Sequence, residues 1–357
     1  MTEPDDAAWI AAAGAPRAPE APFVVAAAAE PGSTEPETGD FEAMESEAPD
    51  TEAPEADQPA EVPSVGDETS PSLPAGAPTM DGELGPTGRP WRYVPEPAPL
   101  TSHGPAVVIA VCNQKGGVGK TTSTINLGAA LAEHGRRVLL VDLDPQGALS
   151  AGLGVASHEL DRTIYNLMLD PGTTVTDVLV PTRLDGVDLI PANIDLSAAE
   201  VQLINEVGRE QTLARALRPL LHSYDYILID CQPSLGLLTV NALACANVVL
   251  IPLAAEYFSL RGVALLVDTV DKVRARINPD LRIGGVLVTM FDGRTVHGRE
   301  VVAMLVQRFG DLVFDTVIAR TVKFPETTVA GEPITRYAPT SAAADSYRTL
   351  AREVIAR

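Results

Sequence analysis

Chemistry is densest in this sequence at Asn113-Gln114-Lys115-Gly116-Gly117-Val118-Gly119-Lys120-Thr121-Thr122, which lies between an apolar run and an amphipathic one carrying Ile125, Leu127, Ala130 and Leu131. Three glycines so closely spaced let a backbone curl until successive N–H groups face one anion, and the start of a following helix adds its own unsatisfied N–H groups and dipole. Lys120 is placed to reach the β- and γ-phosphates of a nucleotide, and the Thr121 hydroxyl to ligate Mg2+. The strict pattern G-x-x-x-x-G-K-[ST] would put Gly at 114. This chain has Gln114 there, and a second lysine, Lys115, opens the loop.

Two further segments end apolar runs in carboxylates. Val138-Leu139-Leu140-Val141-Asp142-Leu143-Asp144-Pro145-Gln146-Gly147 delivers two aspartates into a turn, and Tyr226-Ile227-Leu228-Ile229-Asp230 delivers one, followed by Cys231-Gln232-Pro233-Ser234. An aspartate at a strand end is commonly a cap or turn residue. Three such elements in this order around a glycine-rich loop read instead as the parts of a phosphate and metal site.

The run Lys115–Thr121 resembles the deviant Walker A loop of the ParA/MinD/nitrogenase-iron-protein superfamily, and the resemblance extends over residues 106 to 357, closest to ParA/Soj chromosome-partitioning ATPases of the actinobacterial ParA-like subgroup. It implies a slow, dimerisation-dependent ATPase that binds ATP and Mg2+ through Lys115, Gly116, Gly117, Val118, Gly119, Lys120, Thr121 and Thr122. Lys115 would reach across a homodimer interface to the partner's nucleotide. The segment around Asp142 and Asp144 is similar to the ParA switch I motif, so Asp144 would orient the attacking water and Asp142 would help order the Mg2+ shell with Thr121. Tyr226–Asp230 resembles Walker B, with Asp230 serving the metal. There the commoner continuation is Asp-Cys-Pro-Pro, and Gln232 departs from it.

The resemblance implies partners as well. The segment from Thr316 to Glu326 is similar to a ParA stretch reading V-I-P-R-N-x-[RK]-[LF]-x-E, with Ala319 and Thr321 in place of Pro and Asn, and should border the adenine. Arg294, Arg299, Arg320 and Lys323 match or neighbour residues that in this family bind double-stranded DNA without sequence preference. A ParB-like activator and a cytoplasmic, nucleoid-associated location follow from the same resemblance.

Such a site must be positioned by a scaffold, and from Pro105 onward the chain alternates short β-rich runs with longer helical patterns. That alternation predicts an α/β fold, a doubly wound, mostly parallel sheet covered on both faces. Strands are predicted at 106–112, 137–142, 187–191, 225–230, 247–252, 283–290 and 313–317. Helices are predicted at about 119–134, 195–206, 209–221, 236–245, 259–277, 297–309 and 340–356. Ligands in such sheets sit beyond the carboxyl ends of the strands.

The 357 residues carry a net charge of −22, which would argue against a nucleic-acid partner were it evenly spread. It is not, since residues 1–104 hold 21 Asp and Glu against three Arg, and 18 of the 30 Pro. This composition predicts a disordered acidic tail over 1–104 and one P-loop ATPase domain over 105–357. Arg89-Pro90-Trp91-Arg92-Tyr93 stands out from the tail and is expected to fold back on the domain. Cys112, Cys231 and Cys245 fit none of the paired metal spacings and read as reduced, buried thiols.

Three other functions compete. A MinD-like ATPase would act at a membrane or on a protein cargo; membrane binding would need a basic amphipathic anchor, whereas Tyr347, Leu350, Val354 and Ile355 at the C-terminus form a modest stripe better suited to packing, so no membrane partner is expected. A reductase resembling nitrogenase iron protein would need paired cysteines for a cluster. A small-molecule synthetase would need a second polar cluster, and His297 with Glu300 reads better as an exposed helix face.

Overall fold

The computed structural model describes residues 79–256 and 259–357. Near-continuous apolar runs become strands buried on both faces: every residue of Val138–Leu143 is buried, as is all of Tyr226–Cys231 except its first residue. The strands are β1 (Thr79–Leu84), β2 (Pro90–Arg92), β3 (Val107–Val111), β4 (Val138–Leu143), β5 (Val180–Pro181), β6 (Val187–Ile190), β7 (Tyr226–Cys231), β8 (Val248–Ala254), β9 (Arg282–Phe291) and β10 (Val313–Ala319). The α-helices are α1 (Lys120–Glu133), α2 (Ala148–Gly152), α3 (Ile164–Leu169), α4 (Val175–Val178), α5 (Leu196–Gln202) and α6 (Thr212–Leu217). They continue with α7 (Leu237–Cys245), α8 (Ser259–Arg276), α9 (Val296–Phe309), α10 (Lys323–Ala330), α11 (Ile334–Tyr337) and α12 (Ala342–Ala356).

Strands β3 to β10 form one sheet in the order β10-β9-β8-β3-β7-β4-β6-β5, parallel throughout except for β5 against β6. Alternate residues of each strand face opposite sides, so Val108, Ala110, Ile227 and Ile229 join one core while Ile109, Val111 and Leu228 join the other. The first core is covered by α7, α8 and α9, the second by α1 and α12. This is the expected doubly wound, mostly parallel architecture.

After β3 the chain makes β4 two places away, then returns to insert β7 between them. Register does the rest, for Val111 pairs with Asp230 and Asp230 with Asp142. The carboxyl ends of three neighbouring strands therefore meet at one level, which is where ligands bind in sheets of this kind.

All seven predicted strands are present. Missed were β1, β2 and the two-residue β5, together with the short helices α2, α3, α4, α10 and α11, which are too brief to show a period. The expected tail needs a correction. Residues 1–78 lie outside the described residues, but 79–104 do not form a featureless leader. Strands β1 and β2 make a hairpin closed by Gly85 N to Arg89 O at 2.8 Å and Gly88 N to Gly85 O at 2.9 Å, with Gly88 at φ 71°. Trp91 lies over Gly85 where a side chain would stand. As expected for the basic aromatic patch, this segment folds back: Arg92 Nε donates to Asp315 Oδ2 at 2.5 Å, Arg89 Nη2 stands 2.6 Å from Asp315 Oδ1, and Arg89 Nη1 donates to Gly310 O at 3.0 Å. Asp315 is only 4% exposed, so the two arginines neutralise a carboxylate that burial alone would penalise.

Candidate nucleotide site

The glycine-rich loop joins β3 to α1. Gly117 and Gly119 adopt φ of 71° and 82°, the left-handed region that a side chain rarely enters, and this turns the chain directly into the helix at Lys120. Gly119 supplies no side-chain cap, so the first N–H groups of α1 are left facing the loop, an arrangement suited to an anion. The loop is pinned where it leaves β3: Asn113 Nδ2 donates to Pro252 O at 2.7 Å, and Asn113 Oδ1 accepts from Lys115 N at 2.9 Å. At its other end Thr289 Oγ1 donates to Val118 O at 2.9 Å.

The two lysines part company. Lys120 is 7% exposed and turns into the loop, its Nζ donating to Lys115 O at 3.3 Å. Burial lowers its pKa, against the pull of Asp230 and Asp144. Lys115 instead points outward, and its Nζ bonds Glu256 Oε2 at 2.7 Å.

Asp142 and Asp230 are both fully buried. Asp142 Oδ2 accepts from Ser150 N at 2.9 Å and Ser150 Oγ at 2.7 Å, and its Oδ1 accepts from Asp144 N at 3.2 Å. Burial pushes its pKa up to about 7 despite these bonds. Both oxygens accept from protein donors, so Asp142 holds the turn from Asp144 to Ser150. Asp144 sits half-buried on that turn, its Oδ1 accepting from Gln146 N at 3.0 Å.

Asp230 differs. Its Oδ1 accepts from Thr124 Oγ1 at 3.4 Å, while its Oδ2 is buried without a hydrogen-bond partner among the described residues. Burial, then the neighbouring Asp142, push its pKa up to about 8, whereas the nearby Thr121 hydroxyl and the charge of Lys120 favour its ionised form. An orphaned carboxylate oxygen beside a threonine hydroxyl is an all-oxygen donor set that suits Mg2+. Thr121 and Asp230 are the residues that would hold it.

Beside the loop opens a cavity of about 380 Å3, lined by Gly119, Thr122, Thr289, Met290, Ile318, Ala319, Arg320, Thr321, Phe324, Pro325, Thr328 and Tyr347. Its position beside the phosphate loop and its largely apolar lining suit a nucleotide base. Ala319 and Thr321, expected to border the adenine, line it together with Thr289, Met290 and Tyr347, which sequence reasoning did not single out for it. Tyr347 is buried, meets the Phe324 ring edge-on at a centroid distance of 6.1 Å, and reaches Ser123 Oγ of α1 at 3.3 Å. Nothing in the local sequence around position 347 signals a ligand.

Because β9 and β10 are neighbours, the four basic candidates gather on adjoining segments at the same end of the sheet. Arg294 forms a two-pronged bond to Asp292, Nε to Oδ1 at 2.9 Å and Nη2 to Oδ2 at 2.8 Å, which holds the Asp292 carboxyl down at about 2. Arg299 Nη1 donates to Gly293 O at 2.7 Å. Arg320 is exposed and stands 3.9 Å from Glu256, and Lys323 opens α10. The C-terminal stripe packs inward, with Tyr347, Leu350 and Ala351 buried in the core shared with α1. Cys112, just past β3, and Cys231, at the end of β7, are buried free thiols 3.1 Å apart, and Cys245 is half-buried.

Comparison with known proteins agrees with this geometry. A family model described as an AAA domain matches residues 106–283. The chain is 69% identical over 280 residues to an uncharacterized protein of Mycobacterium tuberculosis, covering 78% of this chain and 88% of that one. It is 46% identical over 249 residues to the sporulation initiation inhibitor protein Soj of Bacillus subtilis, covering 70% of this chain and 98% of that protein. Among solved structures, cobyrinic acid a,c-diamide synthase from Mycobacterium smegmatis with bound ADP and magnesium is 41% identical, with a TM-score of 0.61 over 69% of this chain and 92% of that one. The cell division ATPase MinD of Pyrococcus furiosus is 27% identical, with a TM-score of 0.59 over 70% and 98%.

Proposed function

The chain belongs to the ParA/Soj family of chromosome-partitioning ATPases, and we propose that it acts as an ATP-switched dimer that binds DNA without sequence preference and releases it on hydrolysis. ATP with Mg2+ is its ligand, and ATP hydrolysis its reaction. Phosphoryl transfer to water depends on charge neutralisation and positioning more than on covalent chemistry. The loop amides and Lys120 neutralise the β- and γ-phosphates, and bound Mg2+ adds its charge to theirs. Asp142 holds the turn on which Asp144 orients the attacking water.

The observation that carries the switch is the outward course of Lys115. A lysine at the mouth of a phosphate loop that turns from its own cradle to a surface carboxylate, 40% exposed, is available to a second copy. Delivered in trans, such a cation is worth roughly 10³ to 10⁵ in rate in other P-loop proteins. ATP would favour the closed dimer through contacts that only this state makes. In that state Arg294, Arg299, Arg320 and Lys323 would face DNA phosphates, and a ParB-like protein would stimulate turnover.

The test is binding of the full chain to random-sequence duplex DNA with no nucleotide, with ADP, or with a slowly hydrolysed ATP analogue, for the wild type and Asp144→Ala. Binding confined to the ATP state, and persisting in Asp144→Ala under ATP, supports the proposal. Intact hydrolysis without DNA binding in any state would move the reading to a MinD-like role on a membrane or protein cargo, or to a synthase. The buried apolar stripe of α12 weighs against the membrane.

A further inference from the structure

We propose that Gln232 and Glu200 are positioning residues for ATP hydrolysis, joined by a hydrogen bond that holds the loop after Asp230 above the phosphate loop. The loop runs from Gln232 to Gly236, between the end of β7 and the start of α7. It lies over the phosphate site, since a side chain built on Gly116 would bring its Cβ to 4.0 Å from Pro233 Cβ. Its placement relative to Asp230 and Gly116 therefore sets the ceiling of the space a γ-phosphate and its attacking water must occupy.

The contacts that hold this loop converge on one carboxylate. Gln232 Nε2 donates to Glu200 Oε1 at 3.0 Å, and the same oxygen accepts from Leu238 N in the first turn of α7 at 3.3 Å. Gly236, the cap residue of α7, has no side-chain cap of its own, and Glu200 packs so closely over it that a Cβ there would collide with the carboxylate. A carboxylate from α5 thus serves the start of α7, where an anion is favoured by both the free N–H groups and the helix dipole. Within the loop, Ser234 N donates to Gln232 O at 2.9 Å, and Thr239 Oγ1 to Ser234 O at 2.7 Å. Gln232 is the residue whose side chain ties the loop itself to Glu200.

Gln232 has no ring to fix its φ, unlike Pro233 beside it. The restraint that a ring would supply covalently is here supplied by the amide–carboxylate bond, which can break and re-form during a catalytic cycle. Glu200 and Gln232 are placed to act on phosphate and metal through the loop, not by touching them.

The experiment is hydrolysis by the full chain, reading the maximal rate against the half-saturating ATP concentration. A displaced ceiling spoils the attack geometry while leaving the base cavity and Lys120 alone, so Gln232→Ala and Glu200→Ala should lower the maximal rate by about 10- to 100-fold. Half-saturation should stay within about twofold, because the groups that bind ground-state ATP are untouched. Glu200→Gln keeps an acceptor for both N–H donors and should stay near wild type. Gln232→Glu sets two carboxylates against each other and should be slow, and adding Glu200→Gln, which returns a donor to the pair from the opposite side, should restore the rate. The proposal is overturned if Gln232→Ala keeps the wild-type rate, if rate and half-saturation deteriorate together, or if the double variant is no faster than Gln232→Glu. None of these readings depends on DNA binding, so the inference and the proposed DNA switch fail separately.

Discussion

Lys115 Nζ lies 2.7 Å from Glu256 Oε2, and Arg320 Nη2 approaches the other oxygen of the same carboxylate at 3.9 Å. One acid thus restrains both the lysine proposed to act in trans and an arginine proposed to meet DNA. The Lys115 ammonium holds the Glu256 carboxyl below its ordinary pKa. Both partners are roughly half-exposed, so the pair is worth only about 0.2–1 kcal/mol. Glu256→Gln is therefore expected to raise unstimulated ATP turnover, by no more than about fivefold. Lys115→Ala should lower it by about 10³. Equal activity of Lys115→Ala and wild type would remove the trans role altogether.

The fork between Arg294 and Asp292 makes a second prediction. While Asp292 occupies the Nε–Nη2 edge of its guanidinium, Arg294 has less to offer a phosphate. Asp292→Asn should tighten ATP-dependent binding to random duplex DNA. Arg320→Ala should weaken it equally for all sequences and reduce the slope of log affinity against log salt by about one. A titration across a series of salt concentrations measures both. Salt slopes unchanged by Arg320→Ala would exclude that residue from the interface.

Magnesium and nucleotide binding should release a proton. In the free protein Asp230, pushed up to about 8, holds its proton at neutral pH. A cation at the orphaned Oδ2 requires the carboxylate, so binding displaces that proton, and affinity should rise with pH until it passes about 8. Calorimetric titration in two buffers of different ionisation enthalpy reads the release directly. Asp230→Asn should abolish it, and an Mg-dependent release that survives this change would point to another group.

The hairpin before the domain should contribute to its stability. Removing residues 1–104 strips Asp315 of Arg89 and Arg92 and should lower stability by about 3 kcal/mol. For a domain of this size that is a Tm lower by roughly 10 °C. Arg89→Ala combined with Arg92→Ala should reproduce most of the loss. Thermal denaturation of the wild type and these variants decides the matter.

What could be read from the sequence was whatever is contiguous. The phosphate loop, Asp144 and Asp230 sit in unbroken motifs, and β3, β4, β7, β8 and β9 are apolar runs long enough to declare themselves. The hairpin at 79–92 was hidden because its first strand has the composition of the acidic leader, and the anchors of its second, Asp311 and Asp315, lie more than two hundred residues away. Met290 and Tyr347 were invisible as cavity residues for the same reason. Ser150, Glu200 and Glu256 act on the site only through side chains that the fold brings back to it. Asp142 shows a subtler limit, for its motif is plain, yet only the structure shows both its oxygens spent on Ser150 and Asp144.

The base cavity draws one wall from the loop after β3 and another from Tyr347, on the last helix of the fold. Tyr347 is also what α1 leans on, through Ser123. Tyr347 stands more than two hundred residues from Ser123 in sequence yet touches it in space, so a change that loosens α12 is expected to be felt at once in the cavity and in the helix that follows the phosphate loop.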